Sequence, residues 1–138
     1  MHSSADYVQG WLRKANVDYQ SFLLLESSSE DLSEAAAFHA QQAVEKWLKA
    51  LLTYNDVDTP YTHDLTKLLP MLTQFYTELG AQEWLERASL LNGFAVEIRY
   101  IDEENPLRIG ALNLNQIKES LEAFRTFTNT KLGTHWKA

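Results

Sequence analysis

Hydrophobic positions along this chain recur at spacings of three and four, the period of a helix with one buried face, in five successive stretches. Over residues 4–28, Val8, Trp11, Leu12, Ala15, Tyr19, Phe22 and Leu23 share one side, while Gln9, Arg13, Asn16 and Gln20 lie opposite. Ser3-Ser4 supplies an N-cap hydroxyl, and Asp6 suits the positive end of the helix dipole. Ser27-Ser28-Ser29 breaks the pattern. A second helix follows from about Leu32 to Tyr54, with Ser28 or Asp31 as its cap; Asp31 and Glu34 have the spacing of a capping box. On a wheel of about 100° per residue, its Ala37, Ala40, Val44, Trp47, Leu48 and Leu51 gather on one face. His39, Gln42, Lys46, Lys49 and Thr53 gather on the other.

Asn55 to Pro60 reads as a turn, and Pro60 drives Thr59 out of helical geometry. Thr62 or Asp64 then caps a shorter third helix reaching about Leu79, with a kink or break near Leu69 because Pro70 removes a hydrogen-bond donor. Gly80 ends it as a C-cap glycine. The fourth helix spans about Ala81 to Ile101 on a stripe of Trp84, Ala88, Leu91, Ala95 and Ile98; Asn92 and Arg99 lie seven residues apart along its flank. An acidic turn, Asp102 to Pro106, runs loosely to Asn113. Leu114, Ile117, Leu121, Phe124 and Thr128 define a fifth helix to about Leu132, which Gly133 stops. No stretch alternates with the period of a strand. The pattern predicts an all-α, antiparallel up-and-down bundle of four long helices and one shorter helix. It forms one domain over 1–138, with a core of about 4–132 and a tail of 133–138.

Composition narrows the chemistry. The chain has 138 residues and no cysteine, so neither a disulfide framework nor a thiolate zinc site can form. The start lacks the basic and apolar regions of a signal peptide, and no apolar run approaches a membrane span, so a cytoplasmic, non-membrane protein is expected. A formal net charge of −7 argues against nucleic acid bound over a broad surface, while leaving a local basic patch around Lys46 and Lys49 open. The four histidines, His2, His39, His63 and His135, show no helical zinc-ligand spacing, and the five glycines are isolated, which excludes phosphate loops of the Walker type. No cofactor or metal is expected. Glu103 and Glu104 read as a solvated turn.

The stretch Phe38-His39-Ala40-Gln41-Gln42-Ala43-Val44-Glu45-Lys46-Trp47-Leu48-Lys49-Ala50-Leu51-Leu52 resembles the central signature of HEPN domains, small helical proteins of prokaryotes with some eukaryotic relatives. Two further pieces follow in the family's order: His63-Asp64-Leu65 with Leu68-Leu69, similar to the opening of its third helix, and Glu97-Ile98-Arg99-Tyr100, similar to the Arg-Tyr ending of its fourth. The resemblance covers roughly residues 5–132.

Many proteins of that family are metal-independent endoribonuclease toxins carrying Arg-x(4–6)-His, in which arginine holds the scissile phosphate and histidine moves a proton. Arg99 matches the arginine, but positions 104 to 106 are Glu104, Asn105 and Pro106. With the histidine missing, and with it the His-x-Tyr extension modified in some toxin–antitoxin pairs, the resemblance implies no catalytic residue. It implies a non-catalytic module that binds nucleotide or substrate for a partner minimal nucleotidyltransferase, a branch whose members end the fourth helix in Arg-Tyr, often with Pro-Asp after it; Ile101-Asp102 stands there in this chain. On this reading Arg99 contacts an anion or an acidic partner residue, Lys46, Lys49 and His39 supply further donors, and Gln42 and Asn92 read a polar group. Structural roles compete: a salt bridge for Arg99, interhelical hydrogen bonds for His39 and Gln42, and a cap or core-edge position for His63. The alternative is an endoribonuclease toxin using an unorthodox base. Six Phe, six Tyr and four Trp, together with pairing through bundle faces in the family, imply a two-fold homodimer.

Overall fold

A computed structural model describes residues 2–97, 103–104 and 113–133. The five helices are α1 (Ser4–Glu26), α2 (Ser33–Tyr54), α3 (Leu65–Leu72), α4 (Gln82–Glu97) and α5 (Leu114–Leu132), with a 3-10 turn at Thr77–Gly80 between α3 and α4. No strand occurs among the described residues. The all-α bundle of four long helices and one shorter helix is therefore the fold. No helix among the described residues is long and apolar enough to cross a membrane.

α2 is the hub, packing against α1, α3, α4 and α5. Ala36, Ala37, Ala40, Ala43 and Ala50 are all essentially inaccessible. Their short side chains let neighbouring helices lie close, because interaxial distance follows side-chain size at the contact. Around them pack Leu12 and Phe22 of α1, Leu65, Leu68 and Leu72 of α3, Leu91 of α4, and Ile117, Leu121 and Phe124 of α5. Trp47 is fully buried, whereas Trp11 and Trp84 are partly buried against the core.

The helix ends show where local chemistry ruled. At α1 Ser3 is the N-cap: its hydroxyl accepts from Asp6 N–H, and Asp6 accepts from Ser3 N–H in return, a complete capping box. At α2 the expected Asp31–Glu34 box does not form. Leu32 is the N-cap residue, with no side-chain cap, and Asp31 instead accepts from the backbone N–H and hydroxyl of Ser33, two residues on. Asp64 caps α3 by accepting from Thr66 N–H. Pro70 sits inside α3 and the helix ends two residues later, at Leu72, so the expected break lies slightly C-terminal of Leu69. Gly80 is the last residue of the 3-10 turn rather than a C-cap glycine; Gly133, at φ 75° and ψ −167°, stops α5 in an extended positive-φ conformation that favours glycine.

Candidate functional site

The polar face predicted on α2 is real, but it is turned inward. Lys49 is 7% exposed and Glu45 3% exposed, and Gln41 is as deeply placed. A buried charge needs a partner. Two carboxylates meet that need, one on α1 and one on α2, and each holds one histidine and one lysine.

The first is Asp18, the acid on the apolar side of α1, among Ala15, Tyr19 and Phe22. One of its oxygens lies 2.8 Å from His39 Nδ1 and the other accepts from Lys46 Nζ. His39 and Lys46 are seven residues apart on α2, so both reach the same point on α1. These donors therefore bind an internal anion, and the bond they make joins α1 to α2.

The second carboxylate is Glu45. Its Oε2 pairs with Lys49 Nζ at 3.1 Å, one helical turn along, and its Oε1 lies 2.8 Å from Nδ1 of His63 in the α2–α3 connection. Gln41, one turn before Glu45, donates from Nε2 to the His63 carbonyl at 2.6 Å and so fixes the backbone carrying that imidazole. Gln42 donates to Gln41 Oε1 at 2.7 Å, which makes it a support for Gln41 rather than a bridge to another helix. The Lys49 ammonium also lies 5.5 Å from the centre of the Trp11 ring.

Asn92 of α4 closes the arrangement from the other side. Its Nδ2 donates to Asp64 Oδ1 at 2.6 Å and its Oδ1 accepts from Leu65 N–H at 3.1 Å, satisfying an unpaired donor at the start of α3. The hydroxyl of Thr66, then Asn92 and the Thr66 backbone, hold the Asp64 carboxyl below the usual carboxylate range against the opposing effect of partial burial. Asn92 thus pins α4 to the residue next to His63. Arg99 lies outside the described residues, as does the Arg-Tyr segment with it.

The candidate donors Lys46, Lys49, His39, Gln42 and Asn92 are accordingly not one outward row awaiting a ligand. The wheel misassigned Lys49, which is buried, and it could not show that Asp18 approaches from α1. Asp18, Glu45 and His63 are the residues the sequence reading passed over as a site. The signal for Asp18 was present: it falls three residues after Ala15 and four before Phe22, on the apolar stripe, where an unpaired carboxylate would be costly.

Chemically, the second cluster differs from the first in access. The His63 side chain is 63% exposed, against 31% for His39, while the Glu45 side chain that holds it is 4% exposed. A carboxylate facing Nδ1 selects the tautomer with its proton there, which leaves Nε2 as the acceptor. The unit is a rigidly backed imidazole at the surface. No group of three or more His, Asp or Glu side chains suited to holding a metal occurs among the described residues.

No curated protein and no solved structure matches the chain. The family model described as the HEPN domain matches residues 8–133, which take in all five helices apart from the first turn of α1. By that match, the chain belongs to the HEPN domain family.

Proposed function

We propose that this HEPN domain cleaves RNA without a metal, using His63 as the proton-transfer group and Glu45 as the residue that positions it. The observation that carries the reading is the Glu45–His63 contact: a carboxylate 3% exposed, 2.8 Å from Nδ1 of an imidazole that faces solvent. The same buried carboxylate and the Gln41 bond to the His63 carbonyl restrict the ring, as an acid–base group requires. A neutral imidazole with Nε2 open can take a proton from a hydroxyl in its reach.

In the proposed step His63 Nε2 takes the proton of a ribose 2′-hydroxyl, and its oxygen attacks the adjacent phosphorus. The bond from phosphorus to the 5′-oxygen breaks, that oxygen takes a proton from solvent, and a 2′,3′-cyclic phosphate remains. Arg99, which stands where the family's arginine stands, would hold the phosphate bidentately. The absence of a histidine at 104–106 moves the proton-transfer duty to the α2–α3 connection.

A second reading is favoured by that same absence: a non-catalytic nucleotide-binding module working with a minimal nucleotidyltransferase, in a toxin–antitoxin type of pair. The internal pairing of Lys46, Lys49 and Asn92 weighs against it, because it removes most of the donors such a module would offer an anion. One experiment separates the two. Purified protein is incubated with a fluorogenic RNA in the presence of a chelator, and expression is scored for growth arrest. Cleavage to cyclic-phosphate ends that falls at least 100-fold in His63→Ala and in Arg99→Ala supports the ribonuclease. Intact RNA and normal growth would refute it and leave the binding module.

We also propose a two-fold homodimer, on the strength of large side chains left at the surface of α1, Val17 and Leu24 among them. Light scattering should give about twice the 15.9 kDa chain mass, and a monomer at micromolar concentration would refute it.

A further inference from the structure

A groove of about 580 Å³ runs between the first turns of α1 and the end of α2 with the connection that follows it, and neither His39 nor His63 lines it. Tyr7 and Trp11 line it together with Asp6, Asp56, Asp58 and Lys14. Three carboxylates face one ammonium, so the groove is anionic within a chain that is itself anionic.

Local structure holds the groove's shape. Asp6 is locked by the α1 capping box, and those bonds to Ser3 keep its carboxyl below the usual carboxylate range. Its further neighbour is His2, at 3.6 Å. Asp56 occupies the left-handed region at φ 58°, which Asp tolerates better than most residues, and it accepts from the Ser4 hydroxyl at 3.4 Å. Val57 N–H bonds back to the Leu52 carbonyl and its side chain packs on the core, anchoring the wall. Asp58, in contrast, has no ion pair or hydrogen bond among the described residues. Tyr7 is 59% exposed, and its ring meets the edge of His2.

We propose that this groove is the docking site for an arginine side chain presented by a basic segment of a partner protein. Guanidinium is the cation that matches both halves of the site. It is planar and stacks on an aromatic ring, and it pairs with a carboxylate through two parallel bonds. Asp58 supplies the carboxylate, Tyr7 the ring, and Trp11 the wall behind. Lys14 marks the edge beyond which a second positive charge is unwelcome. The proposal is separable from the ribonuclease reading: neither His39 nor His63 lines the groove, and the second cluster meets it only through Trp11, whose ring lies 5.5 Å from the Lys49 ammonium.

The test is an NMR titration of the full-length protein with the peptide Ac-Gly-Gly-Arg-Gly-Gly-NH2, following the Trp11 indole N–H and the Tyr7 ring. Citrulline and lysine versions of the peptide and free spermidine serve as comparisons. Saturable shifts at both residues are expected for the arginine peptide, weaker by at least fivefold for lysine and absent for citrulline. Asp58→Asn and Tyr7→Ala, both at exposed positions that leave the core intact, should each weaken binding at least fivefold, and Lys14→Gln should strengthen it. Absence of a shift, equal binding of citrulline, tighter binding of spermidine, or unchanged binding in Asp58→Asn would each overturn the proposal.

Discussion

Replacing Glu45 by Ala should be among the most damaging single changes in this protein, and the structure indicates how damaging. The Glu45 and Lys49 side chains are 4% and 8% exposed and lie 3.1 Å apart, so removing the carboxylate strands an ammonium ion in the interior. Removing one partner of a buried pair typically costs about 3–5 kcal/mol, most of it the penalty of the charge left behind. A domain of this size holds roughly 5–15 kcal/mol in all. At about 2–4 °C per kcal/mol for a chain near 150 residues, the melting temperature should drop by roughly 6–20 °C. If the stranded charge is the cause, Lys49→Met in the Glu45→Ala background should recover much of the loss, since two apolar side chains leave nothing unpaired. A double-mutant cycle by urea unfolding, followed by circular dichroism, measures this directly. A coupling of at least about 2 kcal/mol is expected for residues in direct contact. A loss below about 1 kcal/mol for Glu45→Ala, or additive single effects, would show that the pair is not buried as described and would remove the anchor proposed for His63. The exposed partner gives the contrast: in His63→Ala the buried Glu45 keeps Lys49 as its counter-charge, so the cost should be well below that of Glu45→Ala, and a loss of RNA cleavage in a variant that keeps its urea transition is not a folding defect.

Three further changes probe the frame around the site. Asn92→Ala removes the acceptor for Leu65 N–H and a donor to Asp64, and should cost about 1–3 kcal/mol in urea melts. Its cost should also depend on pH. The folded carboxyl of Asp64 is held below its ordinary range by Thr66 and Asn92, so the stability it contributes is present above the unfolded value and is lost as pH falls through the folded one. The gap between wild type and Asn92→Ala should therefore narrow in acid, and a gap that widens below pH 4 would contradict the assignment. Gly10→Ala should stabilise by about 0.5–1 kcal/mol, since Gly10 lies mid-helix in α1 and an added Cβ meets nothing within 4 Å. Gly133→Ala should destabilise, because φ 75° strains any Cβ even in open space; a thermal melt lowered in Gly10→Ala or raised in Gly133→Ala would refute the corresponding account.

The helices themselves were legible in the residue order. Periodicity with the stop at Gly133 placed α5 at Leu114–Leu132, and the Ser3-Ser4 hydroxyls started α1 where the structure has it, because these features depend on neighbours within one turn. The α2 cap was misread for the complementary reason. Asp31 had two local partners open to it, Glu34's helix or the Ser33 hydroxyl, and spacing could not choose between them.

What the order of residues could not decide was which polar groups would meet. Asp18 is 21 residues from His39 and 28 from Lys46, and Glu45 is 18 from His63; only the crossing of α1 and the α2–α3 connection over α2 brings them within bonding distance. A wheel can set His39, Gln42, Lys46, Lys49 and Thr53 apart from the apolar stripe, but not name their partners, because it treats the helix as alone. Once neighbours enclose it, desolvation makes each unpaired charge expensive, and the lysines and histidines turn to the nearest carboxylate. The sequence by itself thus determined a bundle built on an alanine-rich central helix. The tertiary structure decided that its charged side would become the interior of the site, with one imidazole left facing out.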